Sequence, residues 1–481
     1  MPCGNLQLTL TAPTSMMDRR RFLKHSAWTG AALAAGSLSA NEIAPRILPE
    51  SAIFEPNSSH WAQAQPPANP ALKENLEADF AILGGGFTGL SAAYYLRRAV
   101  PDKHVVVLEA KACGNGASGR NGAMVLNLTA ERYMELSSDP AMDKKIYDLT
   151  AENIARLHQL STDTGIDCEL DTKGALQVFN TAEDLAAGMT YVRKARDLGM
   201  PFELWTNDQV HDALGTGIYA GALFDPQAGQ VHPMKLLAAW KRAAENSGVL
   251  VYENTAAVKV KTAEGHTITT SGGYRVKARN LVIATNAYSS KLGFFRNAIT
   301  PIFQYVGMTA PLSESIMNDL RWKSRMPFND SPTLVHYLGL TRDNRVHIGG
   351  GRADYRFNNG LRTPANAKAA YSALQSDLNR IFPALAKVEF ETTWSGIVDM
   401  TLNFSPTVGK LGNDLYYAVG FCGHGVNLTS LFGRILADLA AGEEDRWREF
   451  PFVNHQPPYV PNEPFRWLAV ETLLAWYRVA G

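Results

Sequence analysis

The stretch from residue 79 to residue 109 fixes most of what this chain can become. Asp79 to Leu83 is an apolar run with the length and boundaries of a buried parallel strand. Gly84, Gly86 and Gly89 follow at once in the spacing GxGxxG, with Phe87 and Thr88 inside it, and Leu90 to Arg98 has helical periodicity. His104 to Leu108 reads as a second buried strand, closed by Glu109. The three glycines serve different purposes. The first turns tightly, the second lets the backbone approach a pyrophosphate, and the third packs helix on strand. The helix turns its unpaired N–H groups and positive dipole end toward the phosphates. Glu109, twenty residues after Gly89, is placed to accept both ribose hydroxyls and to repel a 2′-phosphate, which disfavours NADP. GxGxxG alone is a weak signal; with strand, helix, second strand and carboxylate in order it is a strong one. The chain is therefore expected to bind a dinucleotide, NAD or FAD.

Two later segments bear on that choice. Ser118, Gly119, Arg120, Asn121 and Gly122 lie just beyond the ribose-binding strand. Small residues with an Arg and an Asn there suit a long cofactor running under the chain, which favours FAD, with Arg120 a phosphate partner. The same run would also make a plain surface turn. Near the other end, Asp414 to Val419 reads as a strand, Gly420 to Gly425 as a glycine-rich turn, and Val426 to Ala441 as a helix. That second helix N-terminus, set against a flavin pyrimidine, would stabilise the negative charge of the reduced ring. His424 sits in this turn, either facing the cofactor or held by backbone bonds.

Composition excludes other classes. The 481 residues carry 46 Lys+Arg against 46 Asp+Glu and are 46% hydrophobic, so neither a nucleic-acid-binding face nor disorder is supported. No apolar run is long enough for a stable membrane span. Four scattered cysteines contain no Cys-x-x-Cys pair, and no metal site is expected. Gly349, Gly350 and Gly351 follow a strand but lack the helix and third glycine of a second dinucleotide unit. At the N-terminus, Arg19 and Arg20 precede Phe22, Leu23 and Lys24, then an Ala/Gly-rich stretch to Ala40. This looks like a twin-arginine export signal over 1–40, read by the export machinery, which predicts a periplasmic or exported protein. A basic helix that stays in the cytoplasm is the alternative, and Met17 is an alternative start. Residues 41–77 form a Pro-rich lead-in, with the fold beginning near Ala78.

The segments 84–93, 117–122 and 420–429 together resemble the D-amino-acid-oxidase superfamily of FAD-dependent amine oxidases, and within it the gamma-glutamylputrescine oxidase group. The stretches 224–233, 284–288, 394–403 and 464–468 fit the same resemblance, which covers the chain from about residue 78. It implies an α/β (α+β overall) fold, with a Rossmann-like FAD-binding lobe interleaved with a β-rich substrate lobe. The implied boundaries are 78–225 for the FAD lobe with a substrate-lobe insertion and 226–295 for its continuation. The substrate lobe follows at 296–393, the closing FAD segment at 394–445 and a tail at 446–481. Carried over, Gly84, Gly86, Gly89 and Glu109 hold the ADP half, and Ser118, Arg120, Asn121 and Gly122 lie along the pyrophosphate and flavin. A strand at 254–259 gives Val258 backbone to the adenine, Ala284 and Thr285 close over the cofactor, and Gly423, His424, Gly425 and Val426 meet the ring. The chain departs from relatives that tether their flavin, so FAD is expected to be non-covalent, with Cys422 the one thioether candidate.

The middle of the chain predicts a roof over the ring. Thr300 to Thr309 reads as a strand, Thr333 to Leu340 and Arg345 to Ile348 as a hairpin, and Ala365 to Phe382 as a helix. Tyr305, Tyr337 and Trp394 are candidates for an aromatic wall that attracts a substrate cation, with Tyr305, Trp394 and His424 taken as catalytic candidates. Asp399 or His336 would set the protonation of an amine, and Arg352 would meet a carboxylate. Each of these also reads as an ordinary core or strand residue. The expected reaction oxidises the C–N bond of an amine or amino acid, with O₂ or a quinone as acceptor.

Overall fold

The computed structural model describes residues 54–127, 136–263, 265–330, 334–412 and 414–480. The export signal expected at 1–40 lies outside the described residues. One sheet has the strand order Thr407–Leu411, Leu415–Val419, Arg275–Ile283, Leu76–Leu83, Val105–Leu108, Leu250–Tyr252. Along this order all neighbours pair parallel except the first two, and His266–Thr270 and Ala257–Lys261 extend the sheet antiparallel from Arg275–Ile283. Its central strand is buried on both faces, with Ala81, Ile82 and Leu83 at most 1% exposed, as a near-continuous apolar run requires. The helices Phe87–Ala99 and Gly425–Ala441 pack against each other beside this sheet.

A second, eight-stranded sheet runs Phe390–Met400, Thr300–Thr309, Val346–Tyr355, His336–Leu340, Phe328–Asn329, Ala175–Phe179, Gly221–Asp225, Glu203–Thr206. Its pairs are antiparallel except the one between Phe328–Asn329 and Ala175–Phe179. Strands of the two sheets alternate along the chain, so neither sheet is a continuous piece of sequence. One face of the second sheet packs Phe303, Tyr305, Leu338 and Ile348 under the helix Ala367–Ile381. The opposite face sends Val306, Met308 and Trp394 into the core shared with Phe87 and Val426.

Two expectations are corrected here. The strand expected at 254–259 spans Ala257–Lys261, because the Asn254 and Thr255 N–H groups are taken by the carbonyls of Lys111 and Glu109. The fold also starts well before Ala78. Trp61 and Leu72 are buried, and the Lys241–Glu253 ion pair ties the segment down, with Lys241 Nζ 2.7 Å from the Pro67 carbonyl.

Candidate active site

The C-terminal ends of the parallel strands open onto a cavity whose empty volume, its mouth included, is about 1400 Å³. Gly84, Gly86, Phe87, Thr88, Glu109, Ser118, Asn121, Val258, Ala284, Thr285, Gly423, Gly425 and Val426 all line it. Residues from six separate stretches of sequence thus converge on one space.

The turn after the first strand has room for backbone only. A Cβ on Gly89 would lie 1.9 Å from the Gly84 carbonyl oxygen, and one on Gly86 would lie 2.8 Å from Ser118 Oγ. Gly84 has φ +107°, a conformation suited to glycine. The helix that follows has no acidic residue in its first turn and no side-chain cap at Gly86, so no charge masks its positive end at the cavity, although the Phe87 N–H is taken by Ser118 Oγ at 3.0 Å. Glu109 accepts from the Gly85 N–H at 2.7 Å and the Lys111 N–H at 3.0 Å. Burial pushes its carboxyl pKa up, and those two N–H bonds pull the other way.

Other expected residues do different work. Gly89 is not on the wall; it lets helix and turn meet. Arg120 stands off the cavity wall, with its guanidinium bonded to the carbonyls of Asn115, Ser395, Glu55 and Pro56. Gly122 is also off the wall and seats the Tyr337 ring, whose Cε2 would be 2.2 Å from a Cβ there. Trp394 donates its indole N–H to the Arg120 carbonyl at 2.9 Å, and Tyr305 donates to Asp354 at 2.6 Å beneath the covering helix. Neither borders the cavity, and the two cannot share a wall. Tyr305 pairs across the ladder with Ser395, so its neighbour Trp394 points to the opposite face.

His424 likewise stands off the cavity, with Nδ1 3.2 Å from the Cys422 carbonyl, while its neighbours Gly423 and Gly425 line it. His336 is held between Asp330 at 2.7 Å and Asp377 at 3.2 Å under the helix. Burial alone would lower its pKa, but the two carboxylates outweigh it and raise it to about 9. Arg352 bonds its neighbour's carbonyl, Gly351 O, at 2.7 Å. None of these three side chains meets the space.

Asp399 does. It is fully buried on the cavity wall and accepts from the N–H of Gly420 at 2.6 Å, the N–H of Phe421 at 3.1 Å and the Asn286 amide at 3.1 Å. Its carboxylate therefore shapes the second glycine turn, and Cys422, at φ +49°, donates its thiol to Gly420 O at 3.0 Å. Phe54, Asn286, Tyr288 and Lys291 also line the cavity and were not expected there. Asn286 and Tyr288 lie next to Ala284 and Thr285, a signal that was available; Phe54 precedes every motif and had none.

These features fit FAD: a backbone-only cradle, a helix end that no charge masks, a ribose-ready carboxylate and a second helix N-terminus across one large space. A profile of the family described as "FAD dependent oxidoreductase" matches residues 79–439. The chain is 30% identical over 414 residues to gamma-glutamylputrescine oxidoreductase of Escherichia coli, covering 84% of this chain and 94% of that one. It is 29% identical over 388 residues to the probable oxidoreductase OrdL of Haemophilus influenzae, covering 78% and 86%. The crystal structure of glycine oxidase from Geobacillus kaustophilus superposes with a TM-score of 0.65 at 25% identity, covering 79% of this chain and all of that one. The chain belongs to the D-amino-acid-oxidase family of FAD-dependent oxidoreductases.

Proposed function

We propose that the protein oxidises the C–N bond of a small amine or amino acid to an imine, with dioxygen as the electron acceptor. One observation carries this reading: the dinucleotide cradle and the strand Phe390–Met400 of the second sheet share a single cavity, through Val398 and Asp399. A substrate carbon held there lies between the cofactor wall and an apolar roof, where water is scarce. FAD supplies the hydride acceptor when bound. The substrate loses two electrons and two protons, water hydrolyses the imine to an aldehyde or keto acid, and dioxygen ends as hydrogen peroxide.

The chain's own role is to bind and orient. Phe54, Tyr288 and Phe421 present aromatic surface to the space, which attracts an ammonium group before it loses its proton. Asp399 holds the Gly420–Phe421 turn in place rather than taking that proton, since its carboxylate accepts backbone N–H groups. The names of the relatives, an amine oxidoreductase and a glycine oxidase, support the substrate class and the oxidase reading. Arg19 and Arg20, followed by Phe22, Leu23 and Lys24, support export in the folded state.

The test is oxygen uptake by the purified protein across a panel of amines and amino acids, with peroxide measured in parallel. One amine class should consume oxygen and yield peroxide in equal amount. Substrate-dependent reduction of an added quinone without oxygen uptake would contradict the acceptor. Fractionation of the native host checks the compartment, with the protein expected outside the cytoplasm.

A further inference from the structure

Residues 54–75 belong to neither sheet, yet one run of contacts from them falls on a single target, the loop 113–121. The Glu55 carbonyl accepts from the Asn115 amide at 3.0 Å and from Arg120 at 3.1 Å, and the Pro56 carbonyl accepts from Arg120 at 2.7 Å. Asn57 and Ser59 both donate to the Gly119 carbonyl, at 3.2 and 2.7 Å. The Trp61 indole donates to the Asn121 carbonyl at 3.0 Å, and Gln65 to the Cys113 carbonyl at 2.7 Å. The inner side of this same loop is cavity wall, through Gly114, Asn115, Gly116, Ala117, Ser118 and Asn121.

The loop is also tied from the fold side, by the Gly114 N–H on the Gly85 carbonyl at 3.1 Å, the Phe87 N–H on Ser118 Oγ at 3.0 Å and Arg120 on the Ser395 carbonyl at 3.2 Å, so the segment 54–69 holds its outer side. The loop's only regular element is a three-residue turn, Ala117–Gly119, and three glycines leave its backbone costly to order. The covering segment is anchored at both ends. Trp61, 2% exposed, is set edge-on against His232, His347 and Trp394 at 5.2, 5.5 and 6.1 Å. Further along, Pro67 and Asn69 bond the buried Lys241–Glu253 pair. At the near end, the Glu55 carboxylate accepts from Thr363 Oγ1 at 2.6 Å and ties the segment to the second sheet's side of the site. The Phe54 ring stacks on Tyr288 at 5.3 Å, and both rings border the cavity.

We propose that residues 54–69 are a strap that retains the dinucleotide: it presses the 113–121 loop onto bound FAD and lays Phe54 across the cavity, so that FAD leaves only when the strap lifts. Asn57, Ser59 and Trp61 are positioning residues that act through the loop, and Phe54 borders the space itself. The proposal rests on FAD occupying this cavity.

The test uses the full-length holoprotein. FAD release is followed by the rise of free-flavin fluorescence after dilution, and the melting temperature of the apoprotein is measured alongside. The double variant Asn57→Ala/Ser59→Ala should release FAD about 10-fold faster, a larger effect than the fall in apoprotein stability that losing its bonds to the Gly119 carbonyl brings. Ser59→Thr, which keeps the hydroxyl, should release FAD at the wild-type rate. Phe54→Ala, which leaves the loop contacts intact, should also speed release. Wild-type release rates in both the double variant and Phe54→Ala would overturn the strap. So would faster release matched by an equal loss of apoprotein stability, which is what a merely structural segment would give. A wild-type protein that takes up no FAD at all would contradict the cavity assignment, an outcome separable from failure of the strap alone.

Discussion

The cavity is built by two strand–glycine turn–helix units, and they are secured in different ways. In the first, Gly84 to Gly89 between strand Leu76–Leu83 and helix Phe87–Ala99, the shape is set by backbone contact: Gly89 sits where any Cβ would strike the Gly84 carbonyl. In the second, Gly420 to Gly425 ahead of helix Gly425–Ala441, a Cβ on Gly423 would meet nothing. That turn is instead tied by the Asp399 carboxylate, reaching in from the second sheet to the N–H groups of Gly420 and Phe421. The first unit's tightest contact thus lies within its own sequence, with Ser118 and Ala284 closing on Gly86 and Gly84 from outside. The second exists only when the two lobes are assembled, so its shape reports on how the roof is seated.

The comparison can be broken from either side. Gly89→Val puts a side chain where the helix meets the turn, and FAD affinity should fall by about 100-fold or more, read as flavin absorbance per protein after dialysis. Asp399→Ala leaves the N–H groups of Gly420 and Phe421 and the Asn286 amide without their acceptor, a cost of about 2–4 kcal/mol in urea unfolding. A loss of FAD with no loss of stability in that variant would show that the turn does not depend on the roof. Glu109→Gln keeps the size of the side chain and removes the charge that a ribose would meet. FAD should bind roughly 10-fold more weakly, and urea unfolding of the apoprotein should lose about 1–2 kcal/mol, because one of the Gly85 and Lys111 N–H groups loses its acceptor.

The smallest effects concern pH, and two histidines of the second sheet set opposite limits. His336, raised to about 9 by Asp330 and Asp377, contributes stability that is complete below its ordinary value near 6.5 and is lost as pH rises through about 9. His347, fully buried beside Trp61, is lowered to about 4 by desolvation, so its contribution is present above about 6.5 and is lost as pH falls toward about 4. Replacing His336 by Asn should flatten the alkaline limb of a melting-temperature profile, and replacing His347 by Asn the acid limb. Unchanged limbs would remove these groups from the account.

The sequence was most legible where partners are near each other in the chain. Strand, glycines, helix and Glu109 all fall within 79–109, and the structure brings them together at the cavity. It was least legible where the partner comes from the other lobe. Asp399 looked like a group that sets amine protonation because nothing beside it in sequence announces the Gly420–Phe421 turn it holds. Tyr305 and Trp394 were expected on one wall because each is an aromatic on a roof strand. Ladder register decides otherwise, and register is not written in either strand alone. The partners of Arg120 were hidden for a related reason, since the carbonyls of Glu55 and Pro56 that it bonds lie in a segment with no motif.

In the proposed reaction a flavin in this cavity takes electrons directly from the carbon–nitrogen bond of an amine or amino acid. Anaerobic visible absorbance of the purified holoprotein, titrated with one amine class after another, tests it most directly. The account predicts that one class bleaches the flavin band and that admitting air restores it. A yellow protein that no amine or amino acid bleaches, yet that a nicotinamide nucleotide does, would contradict it.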